Sequence, residues 1–319
     1  RTQIDGLVLQ MKAMNIDNVA NFPFPTPPDR DALRRAERSL VHLGALENAK
    51  ARSGGRMATQ ARITPLGRSM AVFPVVPRYG KLLAQGCQHG CMPYAVAIVA
   101  AMSVGDVFMR EENIALTTPD ADDPQVAKEV RKAARARFYQ SMRVFDALGE
   151  GLSDVFRLLS AVGAYEHALA TGKGARFCEQ HFIRAKAMDE IHKLRAQLGS
   201  IVLANAQLSD RDQRNVRDPQ LSPPNAVQLK VLRQLLAAIY IDRVAVRADV
   251  VDAPEAELGG PRGAKMASTR GVPYVALGVP GPVYIHQSSG LFHGPPPEWV
   301  VFGELHQSTP KTAGGEESP

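Results

Sequence analysis

Apolar positions along this chain recur mostly at helical spacing, and one run is apolar on every face. Cys91 to Phe108 reads Cys-Met-Pro-Tyr-Ala-Val-Ala-Ile-Val-Ala-Ala-Met-Ser-Val-Gly-Asp-Val-Phe, with no charge between Tyr94 and Val104. Pro93 suits a first helical turn and Gly105-Asp106 a stop. The run is shorter than the about 20 residues that a bilayer span needs. A helix of this kind must be buried by other helices. It is therefore predicted to be the central helix of a helical domain, with the flanking segments packed around it.

Upstream, Ile4, Leu7, Val8, Met11 and Met14 sit at helical spacing. Phe22-Pro-Phe-Pro-Thr-Pro-Pro-Asp29 holds four prolines and must be extended. Asp29 caps an amphipathic helix with Leu33, Ala36, Leu40 and Leu43 on one face, and Gly44 ends it. A strand near Ala45-Leu-Glu47, a hairpin tip at Ser53-Gly-Gly-Arg56 and a returning strand near Ala61-Arg-Ile63 follow, and Thr64 caps another helix. Two helices, a hairpin and a third helix are winged-helix order, expected over residues 1–70. Arg30, Arg34, Arg35 and Arg38 on the second helix either face solvent or read a nucleic-acid groove.

Downstream, Pro77 opens a helix through Leu83, and the acidic, proline-containing residues 109–124 read as a loop. Residues 125–148 predict a long helix with the stripe Val130, Ala134, Phe138, Met142 and Phe145. Another face carries Lys128, Arg131, Lys132 and Arg135 beside Glu129, either a solvated face or a track for phosphates. Leu152 to Ala168 is amphipathic, with Leu152, Val155, Phe156, Leu159 and Val162 on its apolar side. Phe177 to Leu203 predicts one long helix carrying Ile191, Leu194, Leu198 and Ile201. Asp210 to Pro224 reads as a mixed-charge linker that closes a helical domain over 71–222. A last helix runs from Asn225 to Ile239.

After Tyr240 the pattern turns to short β-branched or aromatic runs: Asp242–Arg247, Tyr274–Leu277, Val283–His286 and Trp299–Phe302. Separated by Gly/Pro turns, they predict a small antiparallel barrel or sandwich over 223–308. Residues 251–271 read as a flexible insertion and 309–319 as a disordered tail. The fold class is mixed: mainly α, followed by a small β-barrel.

Composition changes this picture little. Of 319 residues, 45% are hydrophobic and 22% charged, which is a globular balance. A net charge of +6 suits a polyanion partner without requiring one. The chain starts at Arg1 without a methionine or an apolar leader, so it reads as a fragment with no signal peptide. Cys87, Cys91 and Cys178 are too few and odd in number for a disulfide framework, which points to a reducing compartment.

No catalytic constellation emerges. Gly80-Lys81 and Gly172-Lys173 lack both the preceding glycine and the following Ser/Thr of a phosphate-binding loop. Asp189-Glu-Ile-His192 resembles an ATPase acid motif in letters, but it lies in a helical pattern, where such an acid does not belong. Cys87, His89 and Cys91 with Cys178 and His181 have tolerable zinc spacing, yet free cysteine is more often a small core residue. Neither catalytic nor metal-ligating residues are expected.

Several longer runs carry a resemblance. Val8-Leu-Gln-Met-Lys-Ala-Met14, Phe22–Asp29, Leu43-Gly-Ala-Leu46, Thr64-Pro-Leu-Gly-Arg-Ser-Met-Ala-Val-Phe-Pro-Val-Val-Pro-Arg78 and Ile98-Val-Ala-Ala-Met-Ser-Val104 resemble the region after the motor of DEAH-box RNA helicases. Phe177-Cys-Glu-Gln-His-Phe-Ile-Arg-Ala-Lys-Ala-Met188 and Val283-Tyr-Ile-His-Gln-Ser-Ser289 continue it, in order, over nearly the whole chain. The resemblance implies a winged helix, a helical ratchet domain and an OB-fold. Phe22–Pro28, Ser153-Asp-Val-Phe-Arg-Leu-Leu159 and Val244-Ala-Val-Arg-Ala-Asp249 look most like the branch acting in small-subunit ribosome assembly. Gln287 departs from the family's usual proline, and the usual continuation after Lys311 is missing.

The resemblance further implies an ATP-dependent RNA helicase whose motor domains would lie before Arg1 and would hold ATP and magnesium. This chain would bind no cofactor itself. It would form one wall of a single-stranded RNA tunnel, with His181, Arg184 and Lys186 on the ratchet side and Arg243, Arg247, His286, Ser288 and Ser289 on the OB-fold side. Implied partners are pre-ribosomal RNA, small nucleolar RNA, pre-ribosomal proteins and a protein activator on the OB-fold or winged-helix surface. No membrane is involved, and the implied location is the nucleolus within the nucleus. The competing readings are a protein-binding scaffold within a pre-ribosomal particle and a splicing-helicase fragment.

Overall fold

The structure is a computed structural model that describes residues 4–48, 61–114, 124–251 and 267–306. The first region comprises α1 (Ile4–Ala13), α2 (Arg30–His42), β1 (Leu46–Glu47), β2 (Arg62–Ile63) and α3 (Pro65–Ala71). β1 and β2 pair antiparallel, Leu46 opposite Ile63. The expected caps are made: Asp29 Oδ2 accepts from the Ala32 amide at 3.1 Å and Thr64 Oγ1 from the Gly67 amide at 3.0 Å. Gly67 is required by a close approach, since a Cβ there would come 2.1 Å from the Ala45 carbonyl oxygen. Val8, Met11, Leu33, Leu40 and Leu46 build this core. Inside it lies Lys12, whose Nζ donates to the carbonyls of Asp17 and Ala61, both at 2.7 Å, and pairs with Glu37 at 3.1 Å. A buried ammonium has three donors, and these three partners use them. The hairpin tip at 53–56 lies outside the described residues.

The second region is helical: α4 (Pro77–Gln85), α5 (Met92–Val104), α6 (Glu111–Ile114), α7 (Pro124–Asp146), α8 (Asp154–Ala170), α9 (Gly174–Gln180), α10 (Ala185–Asn205), α11 (Asp210–Arg217) and α12 (Ala226–Ile239). Met92 to Ala101 of α5 are all buried, and α4, α8, α10 and α11 pack around it. The central-helix prediction therefore holds. Four sequence expectations are corrected. Part of the 109–124 loop is helix α6. The linker at 210–224 begins with α11, capped by Ser209 Oγ on the Asp212 amide at 3.2 Å. The long 177–203 helix is two helices, because residues 181–184 turn away to pair with residues 107–109. Leu152, assigned to an apolar face, is exposed.

The buried carboxylate of α8 is paired with side chains of α10. Glu166 meets His192 Nδ1 at 2.9 Å and Arg195 at 3.4 Å. Arg195 also donates to the carbonyls of Pro219 at 2.5 Å and Asp218 at 3.1 Å, fixing the segment after α11. The Asp189–His192 string lies within α10, as its pattern required. The apolar face of α12, which the sequence division grouped with the β-rich end, is buried in the helical core through Leu232, Leu235, Leu236 and Ile239.

The β-rich end consists of β3 (Val244–Arg247), β4 (Tyr274–Ala276), β5 (Pro282–Val283) and β6 (Trp299–Val301), in one antiparallel sheet of order β5-β4-β3-β6. Ala245, Tyr274 and Ala276 form its small core with Val272. Within the expected insertion, residues 252–266 lie outside the described residues, as does the tail 309–319. Residues 268 and 269 are anchored: Thr269 Oγ1 donates to the Leu291 carbonyl at 2.6 Å and Ser268 Oγ to that of Phe292 at 3.0 Å. Among the described residues no helix is long and apolar enough to cross a membrane.

Candidate functional site

The turn between α9 and α10 positions three of the residues singled out from the sequence. α9 closes with the His181 amide on the Phe177 carbonyl at 3.0 Å. Phe182 takes a positive φ of 55°, uncommon for a bulky residue. The following backbone is pinned on both sides. Ile183 bridges Phe108, the Met109 amide donates to the Phe182 carbonyl at 2.8 Å, and the Arg184 amide donates to the Val107 carbonyl at 2.9 Å. Arg184 is then the N-cap of α10, with its side chain exposed and Lys186 exposed in the first turn.

This helix end has an unusual charge. It has no side-chain cap and no acid in its first turn. The positive end of the helix dipole, amides without side-chain partners and two cations therefore coincide. Among the described residues Asp106 is the acid that pairs with Arg184, at 3.8 Å, and both side chains are solvated, so their attraction is weak. Such a helix end favours an anion, phosphate above all.

His181 is different. It is half-buried between the rings of Phe177 (4.6 Å) and Phe145 (5.4 Å), with Nδ1 3.1 Å from Ser141 Oγ. Burial holds its pKa below the ordinary histidine value. It packs behind the turn and does not share the exposed face of Arg184 and Lys186.

Arg243 and Arg247 are occupied within the β-rich region. Arg243 Nη1 donates to the Gly303 carbonyl. Arg247 Nε meets Asp249 Oδ1 at 2.6 Å and its Nη1 the Pro296 carbonyl at 2.7 Å. The Asp249 carboxylate is the first cause that raises the Arg247 pKa. Both arginines tie loops to β3.

His286, Ser288 and Ser289 lie together on a loop after β5. His286 Nδ1 is 2.8 Å from Ser288 Oγ and accepts from the Ser288 amide at 3.2 Å. Ser289 Oγ accepts from the Leu291 amide at 3.3 Å and caps the short turn Gly290–His293. His286 and Ser288 are exposed.

The sequence reading missed what holds this loop. Arg157 of α8 donates to the Ser288 carbonyl at 2.8 Å, while its Nε and Nη2 clamp Asp146 at 2.6 and 2.8 Å. Asp154 Oδ1 accepts from the Gly290 amide at 2.8 Å. Gly290 has no room for a side chain, since a Cβ would lie 2.9 Å from both Arg157 Nη2 and Asp146 Oδ1. One signal was available: α8 is apolar on most faces, so its arginine needed a partner. The loop and the α9–α10 turn flank the middle of α7. Phe138 meets Phe182 at 5.7 Å, and the adjacent Tyr139 meets His293 at 6.3 Å.

The two Gly-Lys pairs occupy different settings. Gly80 lies inside α4, packed against the Met70 carbonyl, and Lys81 Nζ is engaged with the Ala238 carbonyl at 3.3 Å. Gly172 and Lys173 form the turn between α8 and α9. Cys91 and Cys178 are buried and Cys87 is exposed, and burial is the first cause that raises the pKa of each thiol. Among the described residues no three His, Cys, Asp or Glu side chains gather as metal ligands would.

Comparison with known proteins agrees with the winged-helix and helical regions of the fold. The winged-helix model of the helicase associated domain (HA2) matches residues 36–75, and the ratchet-like HA2 model matches residues 76–158. The probable ATP-dependent RNA helicase DHX37 of Homo sapiens is 40% identical over 315 residues, covering 97% of this chain and 25% of the relative. The probable ATP-dependent RNA helicase DHR1 of Saccharomyces cerevisiae is 36% identical over 334 residues, covering 96% and 25%. The probable ATP-dependent RNA helicase kurz of Drosophila melanogaster is 37% identical, covering 95% and 23%. The chain thus spans about a quarter of the length of these relatives.

Proposed function

The chain belongs with the helicase-associated region of DEAH-box RNA helicases, and from that premise we propose that it forms one wall of a single-stranded RNA path in an ATP-dependent RNA helicase. The observation that carries this reading is the uncapped, acid-free start of α10 with Arg184 and Lys186 exposed beside it. A phosphate there would meet two cations and the helix dipole together. His286 and Ser288 offer exposed hydrogen-bonding groups to the same strand across the middle of α7, while His181, Arg243, Arg247 and the Ser289 hydroxyl hold the wall in shape. ATP and magnesium would be handled by motor domains outside this chain, and the β-rich end would be an OB-fold.

The resemblance at Ser153–Leu159 and Val244–Asp249 supports pre-ribosomal RNA paired with small nucleolar RNA as the substrate. It also supports the nucleolus as the place of action. The test is salt-dependent RNA binding. Arg184→Ala with Lys186→Ala should lower the slope of log affinity against log salt for single-stranded RNA by about 1 to 1.5, near 0.7 per lost phosphate contact. An unchanged slope in a folded variant would remove both residues from the path.

A protein partner also has a surface to meet. The cross-strand pairs Val246–Trp299, Val244–Val301 and Val246–Val275 put these side chains on one face of the sheet. Trp299 is 62% and Val301 42% exposed, and Leu277, which continues β4, is 74% exposed. This apolar face suits the expected activator or a pre-ribosomal protein. Replacing Trp299 by Ser should weaken partner binding and leave single-stranded RNA binding unaltered.

A further inference from the structure

The cations of α7 are not used by the strand path just described. Lys128, Arg131, Lys132 and Arg135 recur at i, i+3, i+4 and i+7, which places them on one face, and Tyr139 and Arg143 continue it. All six are exposed. The first half of the helix stands off the body: between 125 and 133 only Ala127 is half-buried, and Ala134 is the first buried residue. Glu111 meets Arg135 at 3.2 Å. Among the described residues Lys128, Arg131 and Lys132 have no ion-pair partner.

We propose that this stripe is a second RNA contact, one that tracks the phosphate backbone of a base-paired segment next to the single-stranded path. The proposal rests on the RNA reading above. Lys128 to Arg135 rise about 10 Å along the helix at 1.5 Å per residue. One strand of a duplex presents a charge about every 3.4 Å, so the four cations face about three phosphates. No aromatic residue occurs between 125 and 137. Single-strand sites interleave aromatic platforms with cations, whereas a stripe of cations alone reads backbone and shape. Tyr139, the first aromatic on this face, marks the place where the stripe reaches His293 and the flanks of the strand path. Duplex on the protruding half of α7 and separated strand beyond Tyr139 is the order that a strand-separating protein needs.

The test compares the full chain with a variant carrying Lys128→Ala, Arg131→Ala and Lys132→Ala. Each is titrated against a short blunt RNA duplex and against oligouridine at several salt concentrations. The salt slope for the duplex should fall by about 2 to 3, near 0.9 per lost contact, while that for oligouridine changes little. Exchanging the three positions between Lys and Arg keeps the charge and should retain duplex binding. An unchanged duplex slope with oligouridine still bound overturns this proposal alone, and the cations then serve solvent, an acidic protein or the acids Asp120, Asp122 and Asp123 that precede the helix in sequence. Equal losses on both RNAs overturn the duplex assignment. If the unaltered chain binds neither RNA, this proposal and the function it rests on fall together.

Discussion

Replacing Arg157 tests how the candidate loop is held. The side chains of Arg157 and Asp146 are 11% and 17% exposed, and they share two charge-assisted hydrogen bonds of 2.6 and 2.8 Å. Arg157→Ala removes both and leaves the Asp146 carboxylate without its counter-charge. Removing one partner of a fully buried pair costs about 3 to 5 kcal/mol. Asp146 can regain some water, so about 2 to 4 kcal/mol is expected here. The same substitution breaks the single bond from the guanidinium to the Ser288 carbonyl. A hydrogen bond from a charged group contributes about 1.5 to 3 kcal/mol, and each 1.4 kcal/mol is about tenfold in an opening equilibrium. Amide exchange at 288–291 should therefore accelerate about 10- to 100-fold. Denaturant unfolding and residue-resolved hydrogen exchange read the two effects separately. Arg157→Met with Asp146→Leu should recover part of the overall stability but not the loop protection, because the Ser288 carbonyl stays unpartnered. Exchange at 288–291 that changes less than about threefold in Arg157→Ala would refute the reasoning.

Two further outcomes follow from the same physics. Arg78 clamps Asp242 at 2.7 and 3.0 Å and also donates to the Ile239 carbonyl, so Arg78→Ala should destabilise the chain by about 2 to 4 kcal/mol at neutral pH, measured by denaturant unfolding. Hydrogen bonds from Arg78 hold the Asp242 pKa below 3.8 against an opposing effect of burial; the pair's stabilisation is present above that pH and is lost as pH falls through the lowered value, so wild type and variant should converge only in strong acid. Burial lowers the His181 pKa from 6.5, so the unfolded chain takes up this proton first and stability should fall as pH drops below 6.5; an NMR titration midpoint at or above 6.5 would contradict the packing described for this ring.

What the sequence disclosed was chiefly local. Asp29 and Thr64 were legible as caps because a cap is written within four residues. α5 was legible because nothing but burial explains an all-apolar helix. The break between α9 and α10 was not. Apolar spacing continues through it, and what turns the chain is pairing with residues 107–109, far away in sequence. The start of α11 was readable and overlooked. Ser209 caps it, Asp210 and Asp212 lie in its first turn and Arg214 and Arg217 in its last, which complements the helix dipole, but the prolines further on suggested a linker.

The cations divide in the same way. A sequence shows that an arginine is present but not whether it is already engaged. Arg78 joins α4 to the end of α12 and the approach to β3. Arg157 joins α8 to a loop 131 residues later, and Arg195 joins α10 to residues 218 and 219. These three are buried and their donors meet carbonyls and carboxylates of this chain, so they are frame. Arg184, Lys186, Lys128, Arg131 and Lys132 are exposed, and the weak pair of Arg184 with Asp106 is the one ion pair described for these five. They are the groups an external polyanion can reach. Arg78 meets Asp242 ahead of β3 and Arg157 meets the Ser288 carbonyl after β5, so the β-rich region is tied to the helical body at two points along its chain. A strand contacting both the α10 start and the His286–Ser289 loop would therefore meet a surface set by the fold, and loosening either arginine should weaken RNA contacts that it never touches.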